Sequence, residues 1–365
     1  MYLSRITLEN FRNYEHCSLE FAAQGGLFFG VNGSGKTNLL EAIYFLCTIR
    51  SQRLASREEM IRFEADCGFL EGVFDDGDCG ERCEASVGFS RDKKIRLSVD
   101  KVALSSFSQW LGKAAVIAFG PDDIALVRGN PKDRRSFLDL LLCQIDPAYL
   151  EQLMTYKKNC AQRNILLSTK HDETALDIYE QNMARSGAIV FFKRQEIIHF
   201  IQPHFTAVYK EISGADENVS ILYKPSIRCE MSTQNEWEKV FYSTLKNCRK
   251  RDALSGFTSV GPHRDDLLML AGAKPAKLFA SQGQCATLAL ALRICSILCC
   301  EAYKKETMLF LIDDALTFLD GGRTARVFPL IQSKGQVFVA ASKQTDAAWG
   351  VLPRFNVDRG RVFSA

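Results

Sequence analysis

The sequence predicts an α/β fold assembled from both ends of the chain, with a mainly helical domain inserted between them. Three observations lead there. A glycine-rich run, "GVNGSGKTNLLEAIYFL", occupies Gly30–Leu46. An apolar segment that turns acidic, "MLFLIDD", lies near the other end, at Met308–Asp314. Between them, from "PDDIALVRG" to about Gly214, alternating patterns give way to stretches with helical apolar spacing. The two end segments can share a site only if both ends build one sheet.

The first 120 residues read as strand-rich. "ITLENF" and "CSLEF" alternate apolar and polar residues, as half-buried strands do. "GLFF" before the glycine run reads as a short buried strand. "LEGVF", "CEASVGF" and "IRLSVD" alternate again, and "AAVIAF", Ala114–Phe119, is continuously apolar and reads as buried. In the middle, "RRSFLDLLLCQID" and "NMARSGAIVFFKRQEIIHFIQPHF" have helical spacing. Shorter elements return after Gly214, with buried strands at "TMLFLIDD" and "GQVFVAAS". The expected boundaries are a head formed by 1–120 and 250–365, and a mainly helical insertion at 121–249.

The glycine run has the spacing of a phosphate-binding loop: Gly30, then Val31, Asn32, Gly33 and Ser34, then Gly35-Lys36-Thr37. Glycine permits backbone angles that turn several N–H groups into one concavity, which binds anions. Lys36 would reach the β- and γ-phosphates of ATP, and the Thr37 hydroxyl would ligate Mg²⁺. The following helix would present its positive N-terminus to the phosphates. Its Leu39, Ile43 and Leu46 fall on one face. A flexible glycine loop is the bland alternative, and the strand–loop–helix context disfavours it.

In "MLFLIDDALTFLD", a buried strand ends in Asp313 and Asp314. Carboxylates at the C-terminal edge of a parallel sheet sit where ligands bind. Asp313 would hold the Mg²⁺ shell, and Asp314 would orient or deprotonate an attacking water. About thirty residues upstream, Ser281-Gln282-Gly283-Gln284 precede an apolar helix. Taken locally, that stretch is a helix cap. Its position between loop and acidic strand matches the order of ABC-type ATPases: loop, signature, acidic strand, then Leu319-Asp320. The predicted fold class is therefore an α/β, ABC-type P-loop ATPase head with an inserted mainly helical domain.

Composition narrows the reading. The 46 basic and 43 acidic residues leave a net charge of +3, which is not the balance of a strongly basic nucleic-acid protein. Any DNA contact must come from a local patch. "KNCRKRD", Lys246–Asp252, is the densest basic run, and a solvated helix end is its more ordinary reading. The N-terminus "MYLSRITLENFRNYEH" is charged throughout and lacks the apolar core of a signal peptide. No run of 18 apolar residues suggests a membrane span. The thirteen cysteines are expected to be reduced core thiols in a cytoplasmic protein, and no spacing among them suggests zinc.

The chain resembles the RecF family of bacterial DNA-repair proteins, ABC-type ATPases close to SMC and Rad50 heads. The resemblance spans nearly the whole length through "ITLENFRNYEHCSLEF", "GVNGSGKTNLLEAIY", "FGPDDIALVRGNPKDRRSFLD", "GPHRDDL", "SQGQ", "LFLIDD" and "QVFVAAS". "GNPKDRRSFLD" and "GPHRDDL" are its most specific parts. The resemblance implies an ATP-dependent homodimer on double-stranded or gapped DNA, with slow hydrolysis, working with RecO- and RecR-type mediators. It gives Gly30–Thr37 the phosphate-loop roles, Asp313 the Walker B role and Asp314 that of the hydrolytic carboxylate. It makes Ser281, Gly283 and Gln284 a signature facing the partner's nucleotide, and Asp320 the aspartate of the loop that crosses the interface.

Two features depart from the pattern. Phe318 stands where a glutamate is common, and no histidine follows "VFVAAS", where Ser342 and Thr345 are the available hydroxyls. His263 matches a family motif, with a structural role and a ligand role both open; Arg134 and Arg135 fit either a DNA or partner contact or a solvated helix face. Other classes fit less well. A transporter ATPase subunit would lack "GNPKDRRSFLD". An SMC-like protein would need hundreds of heptad residues where roughly 245 separate Thr37 from Ser281. A small-molecule kinase would have no use for the Ser281 stretch.

Overall fold

The structure is a computed structural model that describes residues 1–52, 56–76, 80–92, 94–169, 172–227, 233–304, 308–313, 321–342 and 349–365. Asp314, Phe318, Asp320 and Thr345 lie outside the described residues. The chain divides into two compact units. The first comprises Met1–Ile124, Val208–Asp216 and Ser281–Ala365, and the second Ala125–Ala207 and Glu217–Ala280.

The first unit holds two six-stranded sheets. One is antiparallel, in the order Tyr14–Glu20, Tyr2–Phe11, Cys67–Asp75, Arg82–Ser90, Ile95–Val99, Val102–Ala103. The alternating apolar residues Ile6, Leu8, Leu70, Val87 and Phe89 of its strands are buried, as a one-sided sheet requires. The other is mostly parallel, in the order Arg361–Ser364, Arg354–Asp358, Gly25–Phe29, Gly335–Ala341, Met308–Asp313, Val116–Phe119. The Gly25–Phe29 strand comes from one end of the chain and pairs in parallel with Gly335–Ala341 from the other. Gly335–Ala341 in turn pairs with Met308–Asp313, so both ends do build one sheet.

Side chains lock these layers together. Phe21, Phe28, Phe338 and Phe355 form a ring cluster with centroids 4.8–6.0 Å apart. Gln336 is fully buried with its amide satisfied: Oε1 accepts from Leu3 N at 2.8 Å, and Nε2 donates to Leu3 O and Ala22 O at 2.9 Å. It ties the first strand of the chain to the parallel sheet. Among the described residues one helix, Gln282–Lys304, is long and apolar enough to cross a membrane, with mean hydropathy 1.8. That stretch is 78% buried within the fold, so it is a core helix. The eleven described cysteines are all free thiols.

The second unit contains helices Pro131–Ile145, Pro147–Ser168 and Gln234–Ser255, most of helix Glu173–Ser213, and a three-stranded antiparallel sheet ordered Lys274–Pro275, Asp266–Ala271, Val219–Lys224. It differs from the expected 121–249 insertion by reaching Ala280 and leaving out 208–216. Non-local pairing is the reason. Asp266–Ala271 pairs in register with Val219–Lys224, and Arg134 forks onto Asp266 with Nε–Oδ1 at 2.6 Å and Nη2–Oδ2 at 3.0 Å. Arg194 is buried among Asp139, Asp265, Pro262 O and Tyr149. The two family-specific stretches "GNPKDRRSFLD" and "GPHRDDL" therefore hold each other.

Candidate nucleotide site

The loop leaves the C-terminal end of the Gly25–Phe29 strand and enters helix Lys36–Thr48. Gly30 and Gly35 adopt φ of +154° and +120°, and a Cβ would strike Val357 O at 2.2 Å or the Asn13 amide at 2.6 Å. Only glycine fits either place. Gly35 stands at the N-cap with no side-chain cap, and the first turn of the helix carries no acidic residue. A helix left uncapped and uncompensated there presents its N–H groups and positive dipole end to the loop.

Neighbouring elements fix the loop's shape. Asn13 Nδ2 and Gly360 N both donate to Ser34 O at 3.0 Å, and Tyr14 Oη donates to Gly35 O at 3.0 Å. Burial pushes the Tyr14 phenol well up, so it stays a neutral donor. Arg12 forks onto Glu41 of the loop helix at 2.9 and 3.0 Å, and Ser51 Oγ donates to the same carboxylate at 2.6 Å. Lys36 is buried and arches over the loop, donating to Gly30 O at 2.8 Å and Val31 O at 3.1 Å. Among the described residues Ser34 Oγ is buried with no hydrogen-bond partner, a polar atom left for a ligand to satisfy.

Thr37 Oγ1 donates to Asp313 Oδ1 at 2.8 Å across a sequence separation of 276. Asp313 ends a strand whose six residues are all buried and is itself 8% exposed. A hydroxyl and a carboxylate side by side at a sheet edge make a hard oxygen pair of the kind that Mg²⁺ takes. Among the described residues no group of three or more His, Cys, Asp or Glu forms a separate metal cluster.

Ser281 and Gln284 form a reciprocal cap on the core helix: Ser281 N donates to Gln284 Oε1 at 2.9 Å, and Gln284 N to Ser281 Oγ at 3.2 Å. Ser281 and Gln282 are exposed and Gly283 is half-buried. The local cap reading is thus realised, on a surface open to another molecule. Ser342 is exposed just past the Gly335–Ala341 strand.

Several expectations resolve as structural. His263 Nδ1 meets Tyr156 Oη at 2.5 Å and its Nε2 meets Thr258 O at 3.0 Å; burial first, then nearby arginines, lower its pKa to about 4. Arg134 is buried on Asp266, and Arg135 donates to Asp265 O at 2.7 Å, so these arginines bind the protein itself. In the basic run, Arg249 pairs with Glu173, Asp177 and Glu180, Lys246 with Asp177, and Asp252 is fully buried on Arg163. Two of its four basic side chains, Lys246 and Arg249, are thus already paired within the fold. Sequence reasoning assigned no role to Asn13, Tyr14 or Gln52. Gln52 Nε2 lies 3.2 Å from where a Cβ on Gly120 would stand, and Asp313 Cβ lies 4.0 Å from the same point. The only sequence signal for these residues is their place beside recognisable motifs.

Comparison with known proteins agrees with this geometry. The model of the RecF/RecN/SMC N terminal domain matches residues 2–348. The DNA replication and repair protein RecF of Bacillus mycoides (strain KBAB4) is 36% identical over 348 residues, covering 94% of this chain and 92% of its own. That of Bacillus cytotoxicus is 36% identical over 346 residues with the same coverage. A solved structure described as the recombination mediator protein RecF-ATP in the RecFOR pathway superposes with a TM-score of 0.90 at 28% identity, covering 100% of this chain and 97% of that one. An Smc head domain from Pyrococcus furiosus, solved with the C-terminal domain of ScpA, gives 0.59 at 16% identity, over 100% of this chain and 96% of that one, and shares the fold. With the loop, the acidic strand and both family-specific stretches in place, the chain belongs to the RecF family.

Proposed function

We propose that the chain is an ATP-dependent DNA-binding protein of recombinational repair and replication restart. In this reading ATP pairs two copies of the chain on duplex or gapped DNA, where they assist recombinase loading with RecO- and RecR-type mediators, and slow hydrolysis releases them. The observation that carries the reading is the 2.8 Å contact between Thr37 and Asp313, which joins the two halves of a nucleotide site from opposite ends of the chain. The relatives' names and the RecF-ATP structure support it.

Each residue has a role in this reading. The N–H groups of Gly30–Thr37 cradle the phosphates, and Lys36 brings a point charge to them. Thr37 and Asp313 hold Mg²⁺, which when bound neutralises charge on the β- and γ-phosphates. Asp314, one residue beyond Asp313, orients the attacking water. Ser281, Gly283 and Gln284 serve the site of the second copy, with Asp320 at the same interface. The exposure of the Ser281 cap fits a role outside its own subunit.

Duplex binding by the native chain and by Lys36→Ala, with and without ATP over a salt series, tests the proposal. Native binding should need ATP and weaken with salt as phosphate contacts release counterions. Lys36→Ala should bind weakly throughout. Equal native binding with and without ATP at physiological salt refutes the switch. An ATPase rate indifferent to DNA would favour a head of the transporter type.

A further inference from the structure

Helix Gln234–Ser255 of the second unit ends in an apolar surface that the unit leaves bare. Gly256 closes the helix in the left-handed conformation, with φ of +73° and its N–H on Asp252 O at 2.8 Å. After such a cap the chain commonly folds an apolar side chain back onto the last turn. Here the receiving positions are Arg251 and Asp252, and Asp252 is fully buried on Arg163. Phe257 finds no apolar partner in its own cap and stays 47% exposed, while Leu254 is 93% exposed. The segment is nonetheless pinned: Thr258 N and Oγ1 both donate to Asn164 Oδ1, at 2.8 and 2.7 Å. A surface held in place in advance costs a partner little ordering.

The charge around these two side chains is of one sign and unmatched. Lys250 is exposed and makes no ion pair among the described residues. The carboxylate nearest Arg251 is Asp252, at 3.9 Å, which Arg163 already holds at 2.8 Å. Arg251 instead donates to Ser259, so it lies along the pinned segment. Arg264 sits over the Phe257 ring, 5.0 Å from its centroid, and donates to Thr258 O at 3.1 and 3.0 Å. Phosphates could take these cations but would leave Leu254 in water. A segment with carboxylates around apolar side chains matches the cations and buries the leucine and the ring together.

We infer that Leu254 and Phe257, flanked by Lys250, Arg251 and Arg264, form a docking surface for an acidic segment of a partner protein that brings apolar side chains of its own. The inference goes beyond the ATP reading and does not rest on it, because all five residues lie in the second unit. It also gives a use to the two cations of the Lys246–Asp252 run that the fold leaves unpaired.

Fluorescence anisotropy of a labelled Glu-rich peptide carrying Leu and Phe, and of a matched peptide with serines in their place, tests it on the native chain, on Leu254→Ser and on Lys250→Glu combined with Arg251→Glu. Every substituted side chain is exposed, so the fold should be retained, and thermal melts check that. The native chain should bind the apolar-acidic peptide. Leu254→Ser should weaken it about 10-fold, as should serine in the peptide, because one buried aliphatic side chain is worth that much. The charge reversal should weaken it about 10-fold as well and flatten its salt dependence. No saturable binding to the native chain overturns the inference. Equal binding of the two peptides overturns it too, because the contact would then be charge alone. A loss of duplex DNA affinity in the charge reversal with peptide binding unchanged overturns it in favour of a nucleic-acid face.

Discussion

Arg194 and Asp265 form an ion pair at 3.1 Å in which both side chains are at most 2% exposed. Asp139 meets the same guanidinium at 2.7 Å, and Tyr223 and Ser226 N complete the hydrogen bonding of Asp265. One cation thus gathers four segments of the second unit. Arg194→Met should destabilise that unit by ~3–5 kcal/mol, because two buried carboxylates lose their partner. Urea unfolding followed by fluorescence would show this as a lower midpoint. A midpoint within experimental error of the native chain's would mean that water replaces the guanidinium.

His263 gives a pH signature. Its folded pKa of about 4 lies below the ordinary 6.5, chiefly because burial disfavours the charged ring. The unfolded chain therefore binds the proton first. The stability from keeping His263 neutral is complete above pH 6.5 and is lost as pH falls toward 4, on the order of 3 kcal/mol in all. His263→Gln should unfold with a shallower pH dependence between pH 6.5 and 4. Identical slopes in the two proteins would contradict the assignment.

Asp313→Asn should keep the fold and weaken Mg-dependent nucleotide binding. The amide can still accept from Thr37, so the sheet edge stays intact, while the anionic oxygen for the cation is gone. Titration with ATP in the presence of Mg²⁺ and of EDTA is the measurement, with a loss of about 10-fold or more expected in Mg²⁺ alone. Equal affinity of both proteins in Mg²⁺ would remove Asp313 from the cation site.

The proposed ATP-driven dimer, with the exposed Ser281 cap serving the second copy's site, predicts complementation. Lys36→Ala and Ser281→Arg should each be nearly inactive as homodimers, because each damages both sites. In a mixture, a heterodimer takes an intact loop from one chain and an intact Ser281 stretch from the other. Random pairing of independent sites restores about a quarter of native sites, as two-fold symmetry requires. ATPase turnover and ATP-driven dimerisation of the mixture are both measured. Recovery of neither would leave Ser281–Gln284 as a helix cap and nothing more.

By itself the sequence determined the local features. Alternation marked the strands Tyr2–Phe11, Tyr14–Glu20, Cys67–Asp75, Arg82–Ser90 and Ile95–Val99, helical spacing marked Pro131–Ser213, and the Gly30–Thr37 spacing marked the loop, because these patterns depend on residues a few positions apart. The two carboxylates after an apolar run marked the place of Asp313 for the same reason. Only the tertiary structure decided which distant residues meet. That Asn13 and Tyr14 brace the loop, that Arg134 is spent on Asp266, and that the second unit extends to Ala280 all depend on contacts between segments far apart in sequence. A basic run such as Lys246–Asp252 reads as surface charge until its partners Glu173, Asp177 and Glu180 are seen beside it on another helix.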